Sequence, residues 1–147
     1  SVDTVYGFCL VNFTDFQAGA NTKPLITHQD ADGNAVFTVA ISGNGAGLWF
    51  PILQDTNQTQ FGAATSMAED TTYYFWWQYT KGTGNDAIYN LWFSTTGIRG
   101  GALQSTVTGQ AVSQVRKTMI GVTNNSNFSA IVDKIRLSDS PIGDNPN

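Results

Sequence analysis

The sequence is poor in charge, cysteine and histidine. Asp, Glu, Lys and Arg make up 12% of the 147 residues, and the net charge is -4. Because no run of basic residues exists, nucleic acid and anionic membranes are poor partners. The single cysteine, Cys9, excludes an intrachain disulfide and a cysteine-rich zinc site. No apolar stretch approaches the ~18 residues of a membrane span, so we expect no membrane insertion.

Aromatic and neutral polar residues make up much of what remains. The chain has 4 Trp, 5 Tyr and 9 Phe, with many Thr, Asn, Ser, Gln and Gly residues around them. This composition suits strands and tight turns better than helices, and no segment longer than one turn has apolar residues at helical spacing. At ~150 residues per domain, we expect residues 1–147 to form a single domain. Its ordered core should span about 5–140, with a frayed tail after Ser138.

Short β-prone runs separated by turns predict an all-β fold. The predicted strands are 5–13, 25–28, 35–41, 48–53, 73–80, 88–94, 103–107, 117–122 and 131–137. Pro51 indicates that the fourth of them is bulged or lies at a sheet edge, and the segment from Phe61 to Met67 is ambiguous. Strands of this length indicate an antiparallel β-sandwich or jelly roll.

Two of the predicted strands form an aromatic hairpin. Their sequences are YYFWWQYT at 73–80 and IYNLWFS at 88–94. If the last residue of the first strand pairs with the first of the second, Trp76 lies opposite Trp92 and Gln78 opposite Asn90. Sugar rings have apolar C–H faces that lie on aromatic rings, and their hydroxyls need neutral donors and acceptors such as amides.

This hairpin therefore predicts a sugar-binding platform. Its candidate ligand-binding residues are Trp76, Trp92, Tyr74, Gln78, Asn90 and Arg99. In this hypothesis the two indoles stack on the sugar and Tyr74, Gln78 and Asn90 form hydrogen bonds with it. Arg99 and Lys81 in the flanking loops would bind an acidic glycan. In the alternative, the two indoles simply pack beneath another sheet or a loop.

Four stretches carry a recognisable strand pattern: FCLVNFTDF, GNAVFTVAI, TTYYFWWQYTKGTGNDAIYNLWFSTTG and IVDKIRLSDSP. Together they resemble the concanavalin A-like, laminin-G-like jelly roll over roughly residues 5–140. The pattern is one of strands and carries no catalytic signature, so it indicates fold more than function. It is similar to domains of secreted bacterial proteins that are often attached to polysaccharide-active enzymes. The resemblance implies an extracellular or cell-surface location and a polysaccharide or glycan partner.

Catalytic motifs are absent from the sequence. Jelly-roll glycosidases of the resembled family place their paired carboxyls in an E-x-D-x-x-E strand, whereas this chain has one Glu, Glu69. His28 has no G-x-S-x-G elbow to serve, and its context ITHQ does not match the Gln-x-His of related lyases. We therefore predict a non-catalytic carbohydrate-binding domain, not an enzyme, with His28 at the surface end of a strand.

Calcium is the one plausible cofactor. Asp30, Asp32 and Asn34 alternate in the segment DADGN and offer several hard oxygen ligands in one turn. The distant Glu of a complete calcium loop is missing, and an Asp-Gly hairpin turn explains the same residues. Both interpretations remain open at the level of sequence.

Two other functions compete with glycan binding. Low charge and many small polar residues also suit a self-assembling subunit of a surface layer, filament, adhesin or viral shell, since jelly rolls serve in capsids as well as lectins. A divergent hydrolase is a weaker third hypothesis.

Overall fold

The chain forms ten β-strands and no helix within the residues that the computed structural model describes. Those residues are 2–16, 19–62, 65–84, 86–99, 103–109, 113–121 and 128–143. The strands are β1 (Thr4–Phe16), β2 (Thr22–Gln29), β3 (Ala35–Gly43), β4 (Trp49–Asp55), β5 (Gln60–Gly62), β6 (Thr72–Thr80), β7 (Ala87–Ser94), β8 (Leu103–Gly109), β9 (Lys117–Ile120) and β10 (Phe128–Ser138). These described segments offer no helix long and apolar enough to span a membrane.

The strands form two five-stranded antiparallel sheets. The front sheet has the order β10-β1-β6-β7-β8, and the back sheet has the order β5-β4-β3-β2-β9. Most predicted strands recur within a few residues of their expected bounds, and the predicted all-β antiparallel sandwich is confirmed. The assignment of residues 1–147 to a single domain stays a prediction.

The inner faces of the two sheets share one apolar core. Alternate residues of β6 point into it, as the pleat of a strand requires: Tyr73, Phe75, Trp77 and Tyr79. From the back sheet, Phe37 stacks on Tyr79 with 5.0 Å between the ring centroids. Because these residues fill the interior, the other face of β6 is directed away from the core.

Gly7 in β1 makes room for the Trp77 indole. The two residues are paired in the ladder between β1 and β6, and a Cβ placed on Gly7 would overlap the Trp77 ring. We expect Gly7→Ala to lower the free energy of unfolding by about 1–3 kcal/mol through overpacking, as measured by urea denaturation. Gly84→Ala is the control, because nothing lies within 4 Å of that added atom. Equal stability of the two variants would contradict this packing.

A bulge in β10 changes which side chains face the core. The ladder with β1 shifts register here, and Lys134 takes a positive φ of 49°, which lets one extra residue enter the strand. As a result Val132 and Ile135, three residues apart, both pack against the core. Asp133, which strict alternation would turn inward, is exposed and accepts a hydrogen bond from the Lys134 N–H.

His28 lies in the core rather than at the surface, so the predicted exposed position was wrong. Its ring is 0% exposed and stacks on Phe37 at 4.2 Å between centroids. Nε2 accepts a hydrogen bond of 3.0 Å from the Trp77 indole N–H. Because an indole N–H only donates, Nε2 is unprotonated, and Nδ1–H donates to Thr118 Oγ1 at 2.9 Å. These two partners satisfy the neutral imidazole and allow its burial, which lowers the pKa of His28 to about 3.

Candidate functional site

The outer face of the front sheet brings the predicted binding residues together. In the ladder between β6 and β7, Trp76 lies opposite Trp92 and Gln78 opposite Asn90, so the predicted hairpin register is confirmed. On the other side of β6, β1 places Tyr6 opposite Gln78. Tyr6, Gln78 and Asn90 therefore form a continuous row across three strands, which we call the amide row.

Hydrogen bonds fix the amides of this row. Asn90 Nδ2 donates to Gln78 Oε1 at 3.0 Å, and Gln78 Nε2 donates to Thr80 Oγ1 at 3.2 Å. All three members of the amide row are half-buried. The Asn90 carbonyl oxygen has no hydrogen-bond partner within the described part of the chain. The row thus presents polar groups to a ligand in fixed positions, which reduces the entropy lost on binding.

Trp76 does not provide an open stacking surface. Its side chain is 1% exposed, because Tyr74 stacks beside it at 6.0 Å and Phe8 packs against it at 5.4 Å between ring centroids. Its indole N–H donates to the Gly143 carbonyl oxygen at 3.2 Å. The expected platform of two exposed indoles is therefore wrong for Trp76, which cannot accept a sugar ring in this structure.

Residues 139–143, which we call the strap, fold back over the front sheet. Arg99 donates to the Ile142 carbonyl oxygen at 2.9 Å, and Gly143 accepts from Trp76 as described above. The structure places residues 139–143 of the tail against this sheet, while residues 144–147 lie outside the described part. The strap covers one indole of the pair and leaves the other, Trp92, half-buried.

Arg99 and Trp92 form a second contact on this face. The guanidinium carbon lies 5.2 Å from the centroid of the Trp92 ring, within the range of a cation–π interaction. An acidic sugar reaching Trp92 would therefore meet a fixed positive charge. The structure brings all six predicted residues to one face. Trp76 is covered there, and the role of the other five in ligand binding stays a prediction.

Sequence reasoning missed Tyr6 and the strap. The outward alternation of Tyr6, Phe8 and Leu10 in β1 is visible in the sequence. Their position beside the aromatic hairpin is not visible, because the ladder between β1 and β6 joins segments about seventy residues apart.

The turn from Asp30 to Asn34 is held by its own hydrogen bonds. Asp30 Oδ1 accepts from the backbone N–H groups of Asp32 and Asn34 at 3.0 and 2.9 Å, and Oδ2 accepts from Asn34 Nδ2 at 3.3 Å. Partial desolvation raises the pKa of Asp30, but the hydrogen bonds from this turn outweigh that effect and lower it. Gly33 has a positive φ of 89°. These contacts favour the hairpin interpretation of the residues over a Ca2+ site, and the described residues hold no group of three or more acidic, His or Cys side chains able to bind a metal.

Comparison with known proteins identifies the fold but no family. The chain matches no protein-family model and no curated protein at a significant level. Alginate lyase Aly36B, as a doubly substituted variant in complex with alginate trisaccharide, matches with a TM-score of 0.62 and 14% identity, covering 94% of this chain and 71% of that chain. The cellulose-induced protein Cip1 matches with a TM-score of 0.64 and 12% identity over 95% of this chain and 69% of that one. A heptameric SAP-like pentraxin from Limulus polyphemus matches with a TM-score of 0.62 and 11% identity, covering 94% of this chain and 65% of that chain.

These likenesses show a concanavalin-like jelly-roll β-sandwich, and at identities this low they support the fold alone.

The similar structures also correct the predicted function. Several of the similar structures are alginate lyases, so the prediction of a non-catalytic carbohydrate-binding domain, and of no enzyme, was wrong. That prediction depended on the absence of paired carboxyls, which glycoside hydrolysis needs. Other reactions use Tyr, His or Lys for proton transfer, and Tyr6 lies on the outer face of the front sheet.

Proposed function

We propose that the protein acts on polysaccharides and that the sugar chain lies across the outer face of the front sheet. The observation that carries this proposal is the pre-arranged amide row beside the half-buried Trp92. Apolar ring surface next to neutral hydrogen-bonding groups matches the two kinds of surface on a pyranose. The alginate trisaccharide held by a lyase of the same fold supports this class of ligand. Kinship with laminin-G-like domains and an extracellular or cell-surface location are part of the proposal.

The residue types on this face suit elimination at a uronic acid. In that reaction a base removes the proton from the carbon beside the carboxyl group. The bond from the adjacent carbon to the glycosidic oxygen breaks, a carbon–carbon double bond forms, and the leaving oxygen takes up a proton. Tyr6 is the candidate for proton transfer, because it lies in the same row as two amides. The N–H groups of Gln78 and Asn90 are the candidates to stabilise the negative charge that develops on the carboxyl group.

His28 has no part in this proposal. Its ring is enclosed between the sheets, and both ring nitrogens have partners there. Proton transfer on the outer face therefore falls to a phenol rather than to the single imidazole of the chain.

Trp92→Ala should weaken binding of a polysaccharide ligand about 10- to 100-fold. Stacking of one flat ring on an aromatic side chain contributes ~1–3 kcal/mol in the comparable case of nucleic-acid bases. The experiment titrates the protein with alginate, pectate and cellulose oligosaccharides by calorimetry. It also follows cleavage through the ultraviolet absorbance of the unsaturated sugar that elimination produces.

Leu48→Ala is the matched control, because Leu48 is an apolar side chain, 47% exposed, just before a strand of the back sheet. Its affinity should equal that of the unaltered protein. If no polysaccharide binds, or if Trp92→Ala binds as tightly as Leu48→Ala, the proposed surface is wrong. Binding without an unsaturated product from any of these substrates would reject elimination.

A further inference from the structure

A groove lies where the edge strands of the two sheets meet, beside β9 and the end of β10. Its volume is about 300 Å³, at the lower end of the range of small-molecule sites. The apolar side of the lining includes Val2, Val115 and Leu137, and the polar side is formed by Arg116, Thr118, Ser138 and the acidic Asp139. We call this feature the edge groove.

The basic residues of this acidic protein are concentrated in β10, in β9 and at the residue just before β9. Four of the seven Lys and Arg residues lie there: Arg116, Lys117, Lys134 and Arg136. All four side chains are exposed. In the part of the chain that the structure describes, Lys81 forms an ion pair with Asp3, and none of these four residues takes part in one. Of these four, Arg116 lines the groove itself, and an excess of positive charge around it favours an anionic ligand.

Three of the eleven acidic residues share this region: Asp133, Asp139, which lines the groove, and Asp3, which follows the groove residue Val2 and accepts a hydrogen bond from Gln114. The Asp133 carboxylate accepts from the Lys134 N–H, and the Asp139 carboxylate accepts from the Ser140 hydroxyl. Both carboxylates therefore have local hydrogen-bond donors and pair with none of the four cations. The remaining net positive charge is available to a bound anion.

Strand register connects the edge groove to the amide row. Ser138, which lines the groove, lies opposite Tyr6 in the ladder between β10 and β1. Tyr6 lies opposite Gln78, and Gln78 opposite Asn90. With strands about 4.8 Å apart, the path from Asn90 to Ser138 is about 14 Å long. A ligand lying along the amide row at right angles to the strands would reach the groove at its end.

From this geometry we infer that the edge groove binds an acidic sugar unit of the polysaccharide chain whose next units occupy the amide row. Arg116 supplies a planar fork of N–H donors that fits a carboxylate or sulfate group. The apolar side of the groove contacts the C–H face of the same sugar. The inference rests on the proposed function, since it assigns a charged subsite to the surface proposed there. It also fixes the direction of the chain, across the strands and toward β10.

The test compares Arg116→Gln, Arg136→Gln and the double variant with the unaltered protein. Because Arg116→Gln removes a hydrogen-bonded charge contact, it should bind alginate oligosaccharides about 10-fold or more weakly, and the double variant more weakly still. Affinity for a neutral cellulose oligosaccharide should be unchanged, and the salt dependence of alginate binding should become shallower. Lys81→Gln is the charge-matched control, because Lys81 is already near Asp3 at 3.6 Å.

Each outcome separates this inference from the proposed function. If the double variant binds alginate as tightly as Lys81→Gln does, while Trp92→Ala is weakened, the edge groove is not a subsite and the proposed surface stands. If the unaltered protein binds neither oligosaccharide, the proposed function fails and the inference fails with it. Competition by inorganic sulfate as strong as that by the alginate oligosaccharide would reduce the groove to a simple anion site and overturn its assignment to a sugar. Arg116→Lys should restore only part of the lost affinity, because it keeps the charge and loses the fork.

Discussion

Acidification from about pH 6.5 to about pH 3 should remove about 4–5 kcal/mol of stability through His28 alone. Burial lowers the pKa of the folded imidazole from 6.5 to about 3, so in this range the unfolded chain binds a proton that the folded protein does not. The contribution is fully present above pH 6.5 and falls by about 1.4 kcal/mol per pH unit as the pH drops toward the folded pKa. Protonation of Nε2 would also break the hydrogen bond from Trp77, because the imidazole N–H and the indole N–H are both donors.

Urea denaturation across this pH range measures the effect, with His28→Gln as the control. A glutamine can accept from Trp77 through its carbonyl oxygen and donate to Thr118 through its amide, but it does not titrate. The carboxylates of the protein titrate in both proteins, so the difference between the two stability curves isolates the histidine. Parallel curves for the two proteins between pH 3 and 6.5 would show that His28 is not buried as a neutral ring.

Tyr6→Phe should lower the rate of polysaccharide elimination about 100- to 10,000-fold, the usual range for loss of a general acid or base. The substitution removes one hydroxyl from the amide row and leaves the ring, so affinity for the substrate should stay within about twofold. The absorbance of the unsaturated product gives kcat and KM separately, and the loss should fall on kcat.

A stability control and two contrary outcomes define the test of Tyr6→Phe. The free energy of unfolding of Tyr6→Phe should match that of the unaltered protein, because Tyr6 is half-buried on the outer face and not part of the core. Unchanged kcat in the variant would remove Tyr6 from the reaction. An equal loss in affinity and rate would make it a binding residue instead.

Local patterns predicted most of the fold. Strict alternation in β6 assigned one face of the strand to the core, and the short loop between β6 and β7 fixed which residues face each other. The pairing of Trp76 with Trp92 follows from these two facts. Both are visible in the sequence because the two strands and their loop are consecutive in the chain. The segment from Phe61 to Met67 is ambiguous in the sequence, because the strand that overlaps its start, β5, has only the three residues Gln60–Gly62, too few to show a period of two.

Long-range contacts account for what the sequence did not reveal. His28 is buried because Trp77 on the opposite sheet and Thr118 on a strand at the sheet's edge supply its two hydrogen-bond partners. Trp76 is covered because the strap returns across the front sheet from the end of β10. Each contact joins segments more than 45 residues apart, and no periodicity within one strand contains that information.

The indole N–H signals of the tryptophans give the most direct test of the proposed surface. Trp49 and Trp77 lie in the core, Trp76 lies under the strap, and Trp92 is half-buried beside the amide row. In nuclear magnetic resonance spectra of the nitrogen-15-labelled protein, a bound alginate oligosaccharide should move the Trp92 signal and leave Trp49 and Trp77 in place. An oligosaccharide that binds and leaves the Trp92 signal unmoved would contradict the account.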